Sequence, residues 1–168
     1  MKVRKTMFVA VPVLALVIGA FCLVGCGKTV TKADYYRDTI VPYSQSIAQA
    51  STKAASMYNA TTRSINTDAV DEAKQITDDA TKKLQDTTDV PEECKDWHDA
   101  AISLNSYMSE YYTYVKDFGQ LLEKSKKNPS DLSTITQMTQ KLSEFTKKTQ
   151  EYSSKLKDIQ EKAQALNS

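Results

Sequence analysis

From Cys94 to Leu122 the apolar residues fall at steps of three and four without a break: Cys94, Trp97, Ala101, Leu104, Met108, Tyr111, Val115, Phe118 and Leu122. That spacing puts them on one stripe of a helix and excludes a strand, whose faces alternate with period two. A second such run covers Ile135, Met138, Leu142, Phe145, Thr149, Tyr152, Leu156, Ile159, Ala163 and Leu166. Between them stands Asn128-Pro129-Ser130-Asp131, a turn signal in which Ser130 or Asp131 can cap the helix that follows. The pattern predicts helices over about 90–127 and 131–166, each near 55 Å long at 1.5 Å per residue. A turn this short makes them an antiparallel hairpin.

The start of the first of these helices is also marked. Asp89 can cap, Pro91 suits a first turn, and Glu92 occupies the capping-box position. Glu92, Glu93, Asp96 and Asp99 crowd the start, and Lys124, Lys126 and Lys127 crowd the end, as the helix dipole favours. Gly119 lies inside the run and weakens it by roughly 1 kcal/mol relative to alanine.

Upstream, Tyr36, Ile40, Tyr43, Ile47, Ala50, Ala54 and Met57 form a stripe within a predicted helix over about 33–64. Pro42 falls inside it and either kinks the helix or starts it. Arg63 to Thr67 reads as a turn, with Asn66 or Thr67 capping a further helix over about 68–87. Val70, Ala73, Thr77, Ala80 and Leu84 are its stripe, and Asp78–Lys82 and Asp79–Lys83 are spaced to pair on its outer side. With only 4 Gly, 4 Pro and no alternating β-branched run, the chain is expected to be all-α. Short connections then give an elongated antiparallel four-helix bundle with coiled-coil-like heptad packing. Its core is thin in large side chains. The alternative is an extended coiled coil completed by a second copy.

Residues 1–25 have the parts of a secretory signal: Lys2, Arg4 and Lys5 precede an uncharged apolar run from Met7 to Val24. That run ends in Leu23-Val24-Gly25-Cys26, which resembles the lipobox of bacterial lipoproteins. The resemblance covers the first 26 residues. It implies cleavage before Cys26, lipidation of the Cys26 thiol and a body held on the extracytoplasmic face of the cell membrane. An uncleaved transmembrane helix is the competing reading of the run and places the body on the same side. Two acyl chains hold a protein stably, each buried methylene adding about 0.8 kcal/mol. The connector through residue 32 is short, its last five residues spanning about 17 Å when extended.

Without the signal the body carries 19 basic and 21 acidic residues, which offers nucleic acid no basic face. Cys22 falls in the signal and Cys26 is the lipid site, so Cys94 is left alone and any disulfide must join two molecules. Cys94 and His98 are four apart on a helix, a spacing that can present two metal ligands, but third and fourth ligands are missing. A Cys–His nucleophile and base would need a pocket and an oxyanion hole, which this glycine-poor body does not announce. No metal, no cofactor and no catalytic residue is therefore expected, and the pair reads as a thiol packed beside Trp97. Tyr107, Tyr111, Tyr112 and Tyr114 cluster within two turns. Tyr111 lies on the stripe, and Tyr107, Tyr112 and Tyr114 are candidate partner contacts, Tyr114 facing outward most. Core packing is the competing reading for these rings.

The sequence thus predicts a membrane-anchored helical module that binds a protein or cell-envelope partner without catalysis. A solute- or metal-binding lipoprotein serving a transporter is the alternative. The helical body itself resembles small helical lipoproteins of unassigned activity.

Overall fold

The computed structural model describes residues 30–166, the side chain of Phe145 excepted; Cys26 and the signal-like segment before it lie outside them. The described residues form an all-α antiparallel bundle of four helices. Helix α1 opens as Lys32–Tyr35, passes through a π turn at Tyr36–Ile40 and continues as Val41–Ala55. Two-residue strands β1 (Tyr58–Asn59) and β2 (Ser64–Ile65) then pair antiparallel. Helix α2 is Thr67–Gln85, a 3-10 turn covers Glu92–Cys94, and α3 (Lys95–Lys127) and α4 (Leu132–Leu166) follow. Consecutive helices are packing neighbours: α1 on α2, α2 on α3, and α3 on α4.

Pro42 does not start the first helix, which begins at Lys32 and runs into it through the π turn. Its nitrogen has no hydrogen to donate and its ring crowds the carbonyl one turn back. The backbone answers with a widened turn, in which the Val41 N–H reaches the Tyr36 carbonyl five residues earlier. One residue more per turn moves everything upstream by about 100°. Tyr35 therefore faces the core, 1 % exposed, and Tyr36, which the heptad spacing places there, is only half-buried.

The first helix also ends sooner than the expected residue 64. After Ala55 the chain folds into the β1–β2 hairpin. The Asn59 side-chain oxygen accepts from the Thr61 and Thr62 N–H groups, and Arg63 sits in the left-handed region at φ 49°. An Asx turn of this kind competes with helix for the same backbone donors. Asn66 then caps α2 by accepting from the Ala69 N–H. On α2, Asp78 pairs with Lys74 one turn back, at 2.6 Å, rather than with Lys82. The third helix starts at Lys95 instead of 90, because Pro91 is extended at ψ 143° and the turn after it is 3-10. Asp131 caps α4: its carboxylate accepts from the Ser133 and Thr134 N–H groups and from the Thr134 hydroxyl. The Thr134 hydroxyl holds that carboxyl below the usual carboxylate range.

Two apolar clusters fill the bundle. At the end where α1 begins, all four helices contribute, through Tyr35 and Tyr43, Leu84, Trp97 and Leu104, and Ile159 and Leu166. At the other end, among the described residues, the cluster is built from the first three helices and the hairpin segment, around Met57, Val70, Tyr112 and Val115 with Ile65 packed against them. There β2 lies against α3 at Gly119, where a Cβ would stand 2.8 Å from the Ile65 Cβ. Glycine is what lets the hairpin approach this closely. Among the described residues no helix is long and apolar enough to cross a membrane.

Candidate functional site

Helix α3 is flanked by α2 on one side and α4 on the other, so its side chains are covered well beyond the single stripe legible in sequence. Cys94, Trp97, His98, Asn105, Tyr107, Tyr112 and Tyr114 are all buried. The outward placement of Tyr114 is corrected accordingly: it is 5 % exposed, and the Lys141 ammonium of α4 lies 4.8 Å from its ring centroid. Tyr107 stacks on Tyr152 with ring centroids 6.2 Å apart, and its hydroxyl donates to the Lys148 carbonyl. Burial pushes the Tyr107 hydroxyl up to about 12. Tyr112 is 1 % exposed at the junction with α2. The three tyrosines named as partner contacts are thus helix-packing residues in this fold, and none offers a ring to the surface.

The Cys94–His98 pair is split by the packing. Cys94 is fully enclosed, and burial pushes its thiol up, away from the thiolate that a nucleophile or a metal ligand requires. His98 instead meets Tyr35, whose hydroxyl oxygen is 2.6 Å from Nδ1. Burial lowers the His98 pKa, with Asp99 acting weakly against it, so the ring is neutral at pH 7. Tyr35 and Tyr43 both set their rings edge-on to Trp97, at 6.4 and 5.4 Å. Among the described residues no group of three or more His, Cys, Asp or Glu side chains converges.

A second polar contact lies deeper. The Tyr43 hydroxyl donates to Asn105 Oδ1 at 2.9 Å, and Asn105 Nδ2 is buried with no partner. The amide borders a cavity of about 20 Å³, also lined by Ile47, Ser51, Thr77, Tyr112 and Tyr152. That is room for about one water and not for a solute. Sequence reasoning passed over Asn105 because it falls one position beside the apolar stripe.

Outside the core, the exposed apolar side chains are not scattered. Among the described residues, apart from Val30 in the connector, the large ones are Leu132, Ile135 and Leu142, at 77, 43 and 48 % exposure. All three stand in the first third of α4, at the end of the bundle remote from Lys32. The heptad pattern places Ile135 and Leu142 in the core. Among the described residues α4 packs chiefly on α3; in this part Lys141 lies on Tyr114, Thr134 is buried and Met138 half-buried, and Ile135 and Leu142 on the neighbouring face stay uncovered. The same end carries an open cleft between the hairpin and α3, bordered by Thr62, Ile65, Lys124, Lys126 and Lys127. Lys126 is engaged there by Glu123 and by the Thr62 carbonyl.

No protein-family model, curated protein or solved structure matches this chain.

Proposed function

We propose that the protein is a membrane-anchored extracytoplasmic lipoprotein acting as a non-catalytic helical interaction module. The observation that carries this reading is the polarity of the bundle. Lys32, six residues after Cys26, opens α1 at one end, while the uncovered Leu132, Ile135 and Leu142 of α4 stand towards the other. A lipid on Cys26 holds the first end at the bilayer and presents the second away from it. Clustered exposed aliphatic side chains are the usual material of a contact surface.

Several features support a non-catalytic role. Cys94 is enclosed in the core and His98 is engaged by Tyr35, so this Cys–His pair supplies no accessible nucleophile and base. The enclosed cavity beside Asn105 holds about one water, which leaves the transporter-accessory reading only the open cleft between the hairpin and α3 as a place for a solute. The test is crosslinking in intact cells followed by mass spectrometry, comparing the wild type with Cys26→Ser. A recurrent protein adduct that weakens without the anchor supports the module. Fatty-acid labelling that persists in Cys26→Ser removes the anchor from the account, and absence of any protein adduct in both forms removes the module.

A further inference from the structure

The uncovered residues of α4 have an order that their exposure alone does not convey. Leu132, Ile135, Thr139, Leu142 and Thr146 follow one another at steps of three, four, three and four, and all five are exposed. That is the spacing of a coiled-coil seam, and it runs beside the more buried face that carries Thr134, Met138 and Lys141, the last lying on Tyr114 of α3. The two threonines fit such a seam. The Thr139 hydroxyl donates to the Ile135 carbonyl and the Thr146 hydroxyl to the Leu142 carbonyl, so each leaves its methyl group for packing.

Charge points to the occupant. None of the five seam positions is charged, nor are Thr136 and Ser143, which flank the seam on the side away from α3. Of the charged residues adjoining it, Asp131 caps the helix, Lys141 is turned onto Tyr114 and towards Asp117, at 3.6 Å, and Lys147 follows its last position. When two identical helices pair in parallel, each residue lies beside its own twin, and any charge on the seam would meet its like. A seam without charge avoids that cost, and it gives a charged partner nothing to hold.

We infer that this face of α4 pairs with the same face of a second copy, forming a parallel two-helix contact over residues 132–146. The parallel sense rests on the proposed anchor, which points both copies the same way from one bilayer. Only three large aliphatic side chains are available, so the contact is weak for dilute molecules and is filled when anchoring raises the local concentration.

The test uses the full-length lipidated protein in its own membrane, with a cysteine at Thr139→Cys on the seam or at Gln137→Cys, an exposed position off it. Under mild oxidation Thr139→Cys accumulates a disulfide-linked dimer and Gln137→Cys does not; Cys94 is buried and contributes to neither. Adding Leu142→Glu places like charges side by side and reduces the Thr139→Cys dimer about tenfold or more. Leu142 is half-exposed, so the helix content of that variant, checked by circular dichroism, stays at the wild-type level. Equal dimer at both positions, or none at Thr139→Cys, overturns the inference. An adduct at Thr139→Cys with a different protein also overturns it while leaving the interaction module standing, and Cys26→Ser remaining on the membrane counts against the anchor alone.

Discussion

Gly119→Ala is a substitution whose sign the packing decides. At an exposed helix position the change stabilises by about 1 kcal/mol, because alanine loses less backbone freedom than glycine. Here the new Cβ would lie 2.8 Å from the Ile65 Cβ, with Cγ2 and Cγ1 at 3.1 and 3.2 Å. The first of these contacts cannot be relieved by rotating Ile65, since its Cβ is fixed by the β2 backbone. The hairpin must move off α3, and overpacking of this kind costs about 1–3 kcal/mol. The net expectation is a loss of about 0–2 kcal/mol where propensity alone predicts a gain. Urea unfolding of the body from Gly27 onward, followed by helical ellipticity, measures it. Repeating the change in an Ile65→Gly background removes all three contacts, and there Gly119→Ala should recover its stabilising sign, with a coupling of about 1–3 kcal/mol. Stabilisation by Gly119→Ala in the wild-type background, with the two changes additive, would refute the placement of β2 against α3.

Three other expectations follow from the buried polar groups and the anchor. Tyr43→Phe keeps the ring but leaves the buried Asn105 Oδ1 without its donor, at a cost of about 1–3 kcal/mol; an unchanged urea midpoint would argue against the Tyr43–Asn105 bond. Because burial lowers the pKa of His98, the unfolded chain binds its proton first. Its contribution to stability is full above the ordinary histidine value of about 6.5 and is lost as pH falls through the lower folded value. Unfolding midpoints taken between pH 7.5 and 5 should therefore fall more steeply for the wild type than for His98→Gln, and parallel slopes would dismiss the effect. Cys26→Ser should abolish fatty-acid incorporation and release the body from the membrane fraction, which metabolic labelling reads directly.

Much of the bundle was legible because heptad spacing is a property of the chain alone. Val70, Leu84, Trp97, Leu104 and Ile159 lie in the core as their periodicity requires, while Phe118 and Leu122 of the same α3 stripe are half-buried and Thr149 of the α4 stripe is exposed. What was not legible depends on neighbours or on backbone detail. The π turn before Pro42 exchanges Tyr35 for Tyr36 in the core, and only that exchange brings a hydroxyl to His98. The Asx turn at Asn59 ends α1 nine residues short of the expected 64, through local hydrogen bonds that helical periodicity does not weigh. Tyr114 is enclosed because α3 has helices on two sides, whereas Ile135 and Leu142 stay uncovered on α4, which packs chiefly on α3. The same periodic signal thus marks a buried stripe in one helix and an open seam in another. The candidate contact face became visible only from what covers each residue.

The central claim, that the uncovered face of α4 is where this protein makes contact, is tested most directly by photo-crosslinking in living cells. A photoreactive side chain is placed in turn at Ile135, Leu142 and, as a control on exposed α1 surface, Gln49. Adducts that form at Ile135 and Leu142 and are absent at Gln49 are the predicted result. Equal labelling at all three positions, or labelling at Gln49 alone, would contradict it.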